Sequence, residues 1–312
     1  MKENIISKVK RFVKRSHFLN NLWQNYVCRI ICYFSPKILA NLAYKARFSK
    51  NIDWDDPKDL IEKIYWLQFN SDTTLWTTCA DKYKVRDYVK SKGLGVSLNT
   101  IYGAYYNVDE INWEALPNQF VLKWNNGSGQ VIIVKDKTKL NIDATKKLLS
   151  IWLKSNYGHE GAQLHYTRIK SCIIAERFLI NDTNPDKSLI DYKIWCFHGK
   201  PNFVLVVYDR DGEYYKLSAF DLEWNNISNQ ILDCNSGYFG GEDIPKPISF
   251  NTMIKMAEIL SSDFIEVRVD FYEINQKPIF GELTFTTGYG NYTYESYCKL
   301  GEFIDLKKIN NK

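Results

Sequence analysis

From residue 120 onward, short apolar runs alternate with short polar turns, and this pattern restricts the fold more than any other feature of the sequence. Residues 120–123 and 131–134 flank a polar, glycine-bearing turn at 124–130, which predicts a hairpin with an exposed tip. Further strands are predicted at 171–179, 192–197, 202–208, 214–222, 264–274 and 279–285. Because many of these runs are separated only by short turns, they predict mainly antiparallel sheets and an α+β fold class.

Helical patterns occupy the remaining segments. Residues 1–50 read as helices, and the break at 53–57 predicts a new helix with Asp56 as its cap and Pro57 at its first position. Further helices are predicted at about 82–92, ending at Gly93, and at about 144–157 and 251–261.

Charge is distributed unevenly along the chain. Residues 1–50 hold eleven Lys/Arg residues and one acid, Glu3, so this segment carries +10 and the rest of the chain −5. Two interpretations stay open: attraction to an anionic surface or polymer, and basic helices that pack on an acidic body. The acidic body argues against broad nucleic-acid binding, and we expect no nucleic-acid partner.

The first 34 residues have features of a segment that lies on a membrane surface. Apolar residues recur at helical spacing between positions 5 and 13, among lysines and arginines, although a core-facing helix gives the same pattern. Residues 18–34 are too polar for a spanning helix, and the opening lacks the apolar region of a signal peptide. We therefore expect a cytoplasmic protein, with peripheral contact between residues 1–34 and the inner face of the membrane as an alternative.

Cysteine and histidine usage excludes two classes of small site. The seven cysteines occur singly, without a CxxC pair, and the four histidines are scattered. This distribution opposes a disulfide framework and a zinc site, and it favours a reducing compartment.

Lys123 ends an apolar strand and is followed by the turn NNGSG at residues 125–129. Glycine allows close backbone approach, backbone N–H groups can form an anion-binding nest, and the lysine supplies positive charge. The turn can therefore close over phosphates. Alone, a glycine-rich hairpin tip is more often only a turn, and this one is neither a Walker motif nor GxGxxG.

Two carboxylates and an arginine lie in the last predicted hairpin. Strand alternation places Arg268 and Asp270 on one face, and Asp270 and Glu282 can face each other across the hairpin. Such charges are costly to bury, and Mg²⁺ bound to substrate phosphates would neutralise the carboxylates. The alternative is a structural salt bridge.

Six segments carry a resemblance to a known family. They are residues 81–88 (DKYKVRDY), 120–129 (FVLKWNNGSG), 173–179 (IIAERFL), 191–201 (DYKIWCFHGKP), 267–272 (VRVDFY) and 280–285 (FGELTF). In this order and combination the chain resembles the ATP-grasp superfamily, specifically its TupA-like (teichuronopeptide-biosynthesis type) branch. The resemblance implies two α+β subdomains that clasp ATP, with a basic helical segment at 1–56, a helical entry plus small nucleotide-binding subdomain at 57–175, and a large subdomain with a magnesium site at 176–312.

The resemblance also implies roles for residues that match the motifs. Lys82 and Lys123 look like the lysines that bind the ATP phosphates. The flexible loop over the triphosphate is expected to use Asn125, Gly127, Ser128 and Gly129. Glu176 matches the acid of a hinge strand, whose neighbours Arg177 and Phe178 would line the adenine slot.

The magnesium ligands implied by the resemblance are Asp270, Glu282 and Thr284. Thr284 departs from many superfamily members, which have Asn there. Arg268 matches the arginine that steadies the acyl phosphate, and Asp191 and Lys193 are expected to contact the acceptor or the γ-phosphate. The usual N-terminal substrate domain is reduced here to mostly helical residues.

The resemblance implies an ATP- and Mg²⁺-dependent carboxylate–amine ligase that forms an amide through an acyl phosphate. The branch implies a carboxylated sugar or glycan as acceptor, such as a uronic acid of a cell-surface polysaccharide, and a small amine. A kinase or glycosyltransferase acting on the same glycan is one alternative. A non-enzymatic basic protein that binds membrane or nucleic acid is another.

Overall fold

The computed structural model describes residues 26–155, 157–182, 184–212, 214–287 and 291–309. Its first helices are α1, Cys28–Phe34, and α2, Pro36–Phe48. They confirm the prediction of helices for the described part of residues 1–50. The amphipathic pattern between positions 5 and 13 lies outside the described residues.

Helix α3 spans Leu60–Asn70, three residues later than predicted. Its N-cap is Asp59, whose carboxylate accepts hydrogen bonds from the backbone of Ile61 and Glu62 at 2.9 and 3.0 Å, and the Glu62 side chain completes a capping box. The prediction of Asp56 as cap and Pro57 as first helical residue was wrong. Asp59 is the N-cap because Glu62 lies three residues later, where the Glu62 side chain can accept a hydrogen bond from the backbone N–H of Asp59.

The later helices surround the sheets. They are α4 Thr74–Ala80, α5 Val85–Ser91, α6 Ile142–Lys154, α7 Leu164–Thr167, α8 Ser228–Ile231, α9 Phe250–Ser261 and α10 Tyr294–Glu302. The predicted helices at 82–92, 144–157 and 251–261 correspond to α5, α6 and α9. Helices α4, α7, α8 and α10 were not predicted.

The first sheet has four antiparallel strands in the order β1-β4-β2-β3. The strands are β1 Ile101–Tyr105, β2 Phe120–Trp124, β3 Val131–Val134 and β4 Ile173–Arg177. The β2–β3 hairpin is as predicted, whereas β1 was not predicted. Leu149 of α6 packs with Phe120, Leu122 and Ile173 in the core of this sheet. The predicted domain boundary between residues 175 and 176 falls within β4.

The second sheet has five antiparallel strands in the order β7-β6-β5-β8-β9. The strands are β5 Asp191–Phe197, β6 Lys200–Asp211, β7 Tyr214–Phe220, β8 Glu266–Ile274 and β9 Lys277–Thr284. Helix α9 covers one face through Met253, Ala257 and Leu260, which are buried. The other face carries the polar side chains described below. Two antiparallel sheets with packed helices confirm the α+β class.

None of the described helices has the length and apolar character needed to cross a bilayer.

Candidate active site

Strands β5, β8 and β9 carry two adjacent rows of side chains across the second sheet, and all of these side chains except that of Trp195 are polar or charged. In one row Lys193 pairs with Asp270, which pairs with Glu282. In the other, Trp195 pairs with Arg268, which pairs with Thr284. Because side chains alternate along a strand, residues two apart share a face, and the rows therefore lie side by side.

The Arg268 guanidinium is the centre of an ion-pair network. Its Nε and Nη2 donate to the two oxygens of Asp270 at 2.7 and 2.8 Å. Nη2 also donates to Glu282 Oε1 and Thr284 Oγ1, both at 3.1 Å. Lys193 Nζ donates to Asp270 Oδ2. The predicted group of Arg268, Asp270, Glu282 and Thr284 is therefore assembled, and Lys193 belongs to it.

Opposite charges fix the ionisation of this network. Burial disfavours the carboxylate of Glu282, but Lys82, Lys193 and Arg268 outweigh that effect and lower its pKa to about 2. Burial likewise disfavours the Arg268 cation, whereas Asp270 and Glu282 raise its pKa above the ordinary value. The neighbouring cations thus favour the Glu282 carboxylate, and Asp270 and Glu282 favour the Arg268 cation.

Asp191, at the start of β5, extends the network along the sheet. Its Oδ2 accepts a hydrogen bond from Arg210 Nη2 at 3.2 Å and lies 4.0 Å from Lys193 Nζ. The negative charge of Asp191, together with burial, raises the pKa of the Tyr272 hydroxyl well above its ordinary value. Arg210 and Tyr272 had not been singled out from the sequence; the structure reveals both through Asp191, and Tyr272 also lines the cleft described below.

Lys82 connects this network with the glycine-bearing turn. It lies between α4 and α5, where its Nζ donates to the Gly127 carbonyl oxygen at 2.6 Å and lies 3.9 Å from Glu282 Oε2. Burial lowers the pKa of Lys82, and the nearby Glu282 opposes that shift. The Lys82 ammonium donates to one carbonyl oxygen and lies near one more distant carboxylate, so it can also donate to the anionic oxygens of a ligand.

Lys123 and Glu176 face each other on the first sheet. Lys123 Nζ donates to Glu176 Oε2 at 2.8 Å, and the two residues lie on the neighbouring strands β2 and β4. Both side chains border the same cleft as Lys82. The two predicted lysines therefore lie on one cleft, which separates the first sheet from β8 and β9.

The lining of the cleft is part apolar and part polar. Besides the lysines and Glu176, it consists of Val85, Arg86, Leu98, Asn99, Leu179, Tyr272, Phe280 and Gly281. Leu98 and Phe280 form an isolated parallel bridge that connects the two sides. The sequence had not assigned Leu98, Asn99, Leu179 or Phe280 to a site, because a residue in a loop or strand carries no local sign of lining a cleft.

Some predicted nucleotide contacts have a different place in the structure. Asn125 is buried, where its amide donates to Asp81 and to the Lys170 carbonyl and accepts from the Cys172 backbone. Its side chain therefore anchors the turn instead of facing a phosphate. Arg177 and Phe178 were predicted to line the adenine slot, but Leu179 is the residue of this segment that lines the cleft. Arg177 is exposed, and its side chain donates a hydrogen bond to Asn99. Phe178 is half-buried and is not among the cleft-lining residues.

The tip of the turn remains open to solvent. Ser128 and Gly129 are exposed, and Gly129 has a φ of +84°. Gly127 is buried, and its carbonyl oxygen is the acceptor for Lys82. The turn therefore has one end held by Lys82 and Asn125 and an exposed tip that can approach a ligand.

Asp270 and Glu282 could hold a magnesium ion if phosphate oxygens supplied the remaining ligands. Asp270, Glu282 and Thr284 offer hard oxygen donors, as Mg²⁺ requires. However, no three His, Cys, Asp or Glu side chains among the described residues form a metal-binding group. Both Asp270 oxygens are also bonded to cationic side chains. Phosphate oxygens would complete the metal's ligands and give Lys193 and Arg268 replacement partners.

The TupA-like ATP-grasp family model matches residues 62–304 of the chain. No curated protein matches the sequence. Solved structures similar to this chain include a D-alanine–D-alanine ligase from Bacillus anthracis, with 15% identity, coverage of 72% of this chain and 65% of that one, and a TM-score of 0.45.

Two other similar structures are more distant. The D-alanine–D-alanine ligase from Helicobacter pylori has 14% identity, coverage of 80% and 64%, and a TM-score of 0.39. The ATP-grasp ligase PsnB with its minimal precursor has 7% identity, coverage of 73% and 60%, and a TM-score of 0.39. The chain thus spans less than two thirds of the length of these structures.

Proposed function

The chain belongs to the TupA-like ATP-grasp family, and on that basis we propose that it is an ATP-dependent carboxylate–amine ligase. Lys82 is the observation that carries the proposal. Its ammonium lies between the glycine-bearing turn and Glu282, on a cleft that Lys123 also lines. A triphosphate in that cleft would meet both lysines and the turn, with its terminal phosphate directed toward Asp270 and Glu282.

The cleft has separate parts for the two ends of ATP. Apolar side chains of Leu98, Leu179 and Phe280 form a surface on which an adenine ring can pack. Lys82 and Lys123 supply positive charge for the phosphates. Phosphoryl transfer depends mainly on positioning and charge neutralisation, and these side chains can provide both.

The proposed reaction has two steps. A carboxylate oxygen of the acceptor attacks the γ-phosphorus of ATP, the bond between that phosphorus and the β,γ-bridging oxygen breaks, and ADP leaves. The amine nitrogen then attacks the acyl carbon, the C–O bond to phosphate breaks, and the nitrogen loses a proton. The products are an amide, ADP and inorganic phosphate.

We assign Arg268 and Lys193 to the proposed acyl transfer, because both donate to Asp270. Magnesium bound by Asp270, Glu282 and Thr284 would neutralise charge on the transferred phosphoryl group. With those carboxylates held by the metal, Arg268 and Lys193 would be available to the acyl phosphate and to the oxyanion of the second step. Preorganised cationic donors at such an oxyanion are a major source of rate acceleration.

We further propose that the acceptor is a carboxylated sugar or glycan of a cell-surface polysaccharide and that the second substrate is a small amine. The +10 charge of residues 1–50 supports an anionic acceptor. The cation Arg210, which pairs with Asp191 and packs over the Tyr215 ring, supports the same class of acceptor. We place the protein in the cytoplasm, where ATP is available, with residues 1–34 in peripheral contact with the inner face of the membrane.

Thermal melting with Mg²⁺-ATP or Mg²⁺-UDP-sugar tests the nucleotide assignment. At about a hundredfold excess over the dissociation constant, ligand binding adds about 2.7 kcal/mol to the free energy of unfolding. We expect this stabilisation with Mg²⁺-ATP only, and expect Lys82→Met to abolish most of it. Lys84→Met is the matched control, because Lys84 is a nearby, exposed lysine. Stabilisation by the UDP-sugar alone would favour a glycosyltransferase.

Product analysis tests the reaction itself. Uronic acids and candidate amines are incubated with Mg²⁺-ATP, and the products are identified by mass spectrometry. A ligase releases ADP and forms an amide only when both substrates are present. A phosphorylated acceptor as the final product, formed without need of an amine, would contradict the ligase and favour the kinase.

A further inference from the structure

The outward face of α1 and the first turn of α2 is apolar. Its exposed side chains are Tyr26, Ile30, Tyr33, Phe34 and Ile38. Each is more than half exposed, and Tyr33 and Phe34 reach 82% and 77%. Surface helices of soluble proteins usually direct polar residues outward, and contiguous apolar patches of this kind mark interaction surfaces. We call these five residues the apolar face.

The opposite side of α1 is already used by the core. Cys28 and Cys32 are buried, and Ile31 packs against the same core. The apolar face therefore cannot be explained as the core-facing side of the helix. Helix α1 is apolar on both sides, and only one of them is covered by the described residues.

The charged residues of the segment that carries the apolar face are all basic. Residues 26–50 contain five Lys/Arg residues and no Asp or Glu. Arg29 and Lys37 are exposed and lie between the apolar residues in the sequence, and the Lys37 ammonium lies 4.9 Å from the Trp54 ring centroid. The 25 residues that precede Tyr26 add six more basic residues and a single acid. Exposed cations among exposed apolar side chains favour an occupant that is both apolar and anionic.

We propose that the apolar face docks the protein on an anionic lipid bilayer. Tyr33, Phe34 and Ile30 would enter the boundary between headgroups and acyl chains, and Arg29 and Lys37 would contact lipid phosphates. The proposed contact is peripheral, and none of the described helices could span a bilayer. A second copy of the chain fits less well, because a symmetric contact would bring equal positive charges together. The proposal rests on the membrane contact proposed above for residues 1–34 and assigns it to the apolar face, and it does not depend on the ligase reaction.

Vesicle co-sedimentation of the full-length protein tests the proposal. The vesicles are phosphatidylcholine with about one third phosphatidylglycerol, compared with phosphatidylcholine alone. The test variant is Tyr33→Ser with Phe34→Ser. The matched control is Tyr214→Ser with Ile248→Ser, because those side chains are 79% and 71% exposed at other sites. Circular dichroism and melting verify that each variant is folded, and light scattering gives its oligomeric state.

We expect the wild type to bind the anionic vesicles about tenfold or more tightly than the neutral ones. The Tyr33/Phe34 variant should lose about tenfold in affinity for anionic vesicles, whereas the control should keep wild-type affinity. Wild-type protein that fails to bind, or a Tyr33/Phe34 variant that binds as well as the wild type, would overturn the proposal. A wild-type dimer that this variant converts to a monomer would assign the surface to a second copy instead.

Discussion

At the scale of single residues, the presence of charged partners distinguishes Glu282 from Glu266 in the second sheet. Arg268, Asp270, Glu282 and Lys193 all have opposite charges within hydrogen-bonding distance or close to it. Glu266 shares their face of β8 but is completely buried, and its two oxygens have no hydrogen-bond partner among the described residues. Burial raises its pKa well above the ordinary value of 4.5, although Arg268 opposes the shift.

Glu266 should therefore make stability depend on pH. Because its folded-state pKa is raised, its stabilising contribution is complete below about pH 4.5 and is lost as the pH rises. We expect Glu266→Gln to raise the melting temperature relative to wild type near pH 8, and the difference to shrink toward zero near pH 4. Melting curves recorded across this range measure the effect.

The exposed Glu258 supplies a control, because Glu258→Gln should give no such pH-dependent gain. A Glu266→Gln protein that is less stable than the wild type at every pH would show that the Glu266 carboxylate has a partner.

At the scale of elements, the β2–β3 turn depends on the absence of a side chain at Gly127. A Cβ at this position would lie 2.3 Å from Gln130 Oε1 and 2.4 Å from a ring carbon of the buried Trp124. The Trp124 ring cannot withdraw easily, so the turn must move instead. That movement would displace the carbonyl oxygen that accepts the Lys82 hydrogen bond.

We therefore expect Gly127→Ala to weaken Mg²⁺-ATP binding by about tenfold, because loss of a correctly placed polar contact costs about 1–2 kcal/mol. Isothermal titration calorimetry gives the affinity. Gly237→Ala is the control, since a Cβ there would meet no atom within 4 Å. Equal affinities for the two variants would show that the turn adapts and that its position is not needed for the nucleotide.

The N-cap of helix α3 could have been identified from the sequence. Asp59 and Glu62 have the spacing of a capping box, whereas Asp56 and Pro57 have the features of a cap followed by a first-turn proline. The structure uses the first pair, and Tyr44 of α2 also donates to the Asp59 carboxylate. This long-range bond favours Asp59, and local spacing does not reveal it.

At the scale of the whole molecule, Lys82 bridges the two sides of the cleft. It donates to the turn of the first sheet and lies 3.9 Å from Glu282 of the second. A nucleotide that binds Lys82, Lys123 and the carboxylates through magnesium would therefore stabilise both sheets together. Binding without metal would leave the second sheet without its link to the phosphates.

Hydrogen–deuterium exchange tests this coupling. We expect Mg²⁺-ATP to slow exchange both at 120–134 and at 266–284, because ligand contacts suppress local opening. ATP with EDTA should slow exchange mainly at 120–134. Protection that remains confined to one sheet in the presence of Mg²⁺ would contradict a site shared between them.

Local patterns in the sequence determined the helices α5, α6 and α9, most strands and the two hairpins that carry the chemistry. Strand alternation and turn length are properties of neighbouring residues, so the pairing of Asp270 with Glu282 could be predicted from residues 264–285 alone. The same local logic placed Lys123 beside the glycine-bearing turn.

Only the tertiary structure decided the contacts between distant segments. Lys193 meets Asp270, 77 residues later, because β5 lies between β6 and β8. Likewise, strand order pairs β1 with β4, and loop packing brings Leu98 to Phe280. The physical reason is that side-chain burial and long-range pairing depend on which surfaces meet, whereas sequence periodicity reports only which face of each element is apolar.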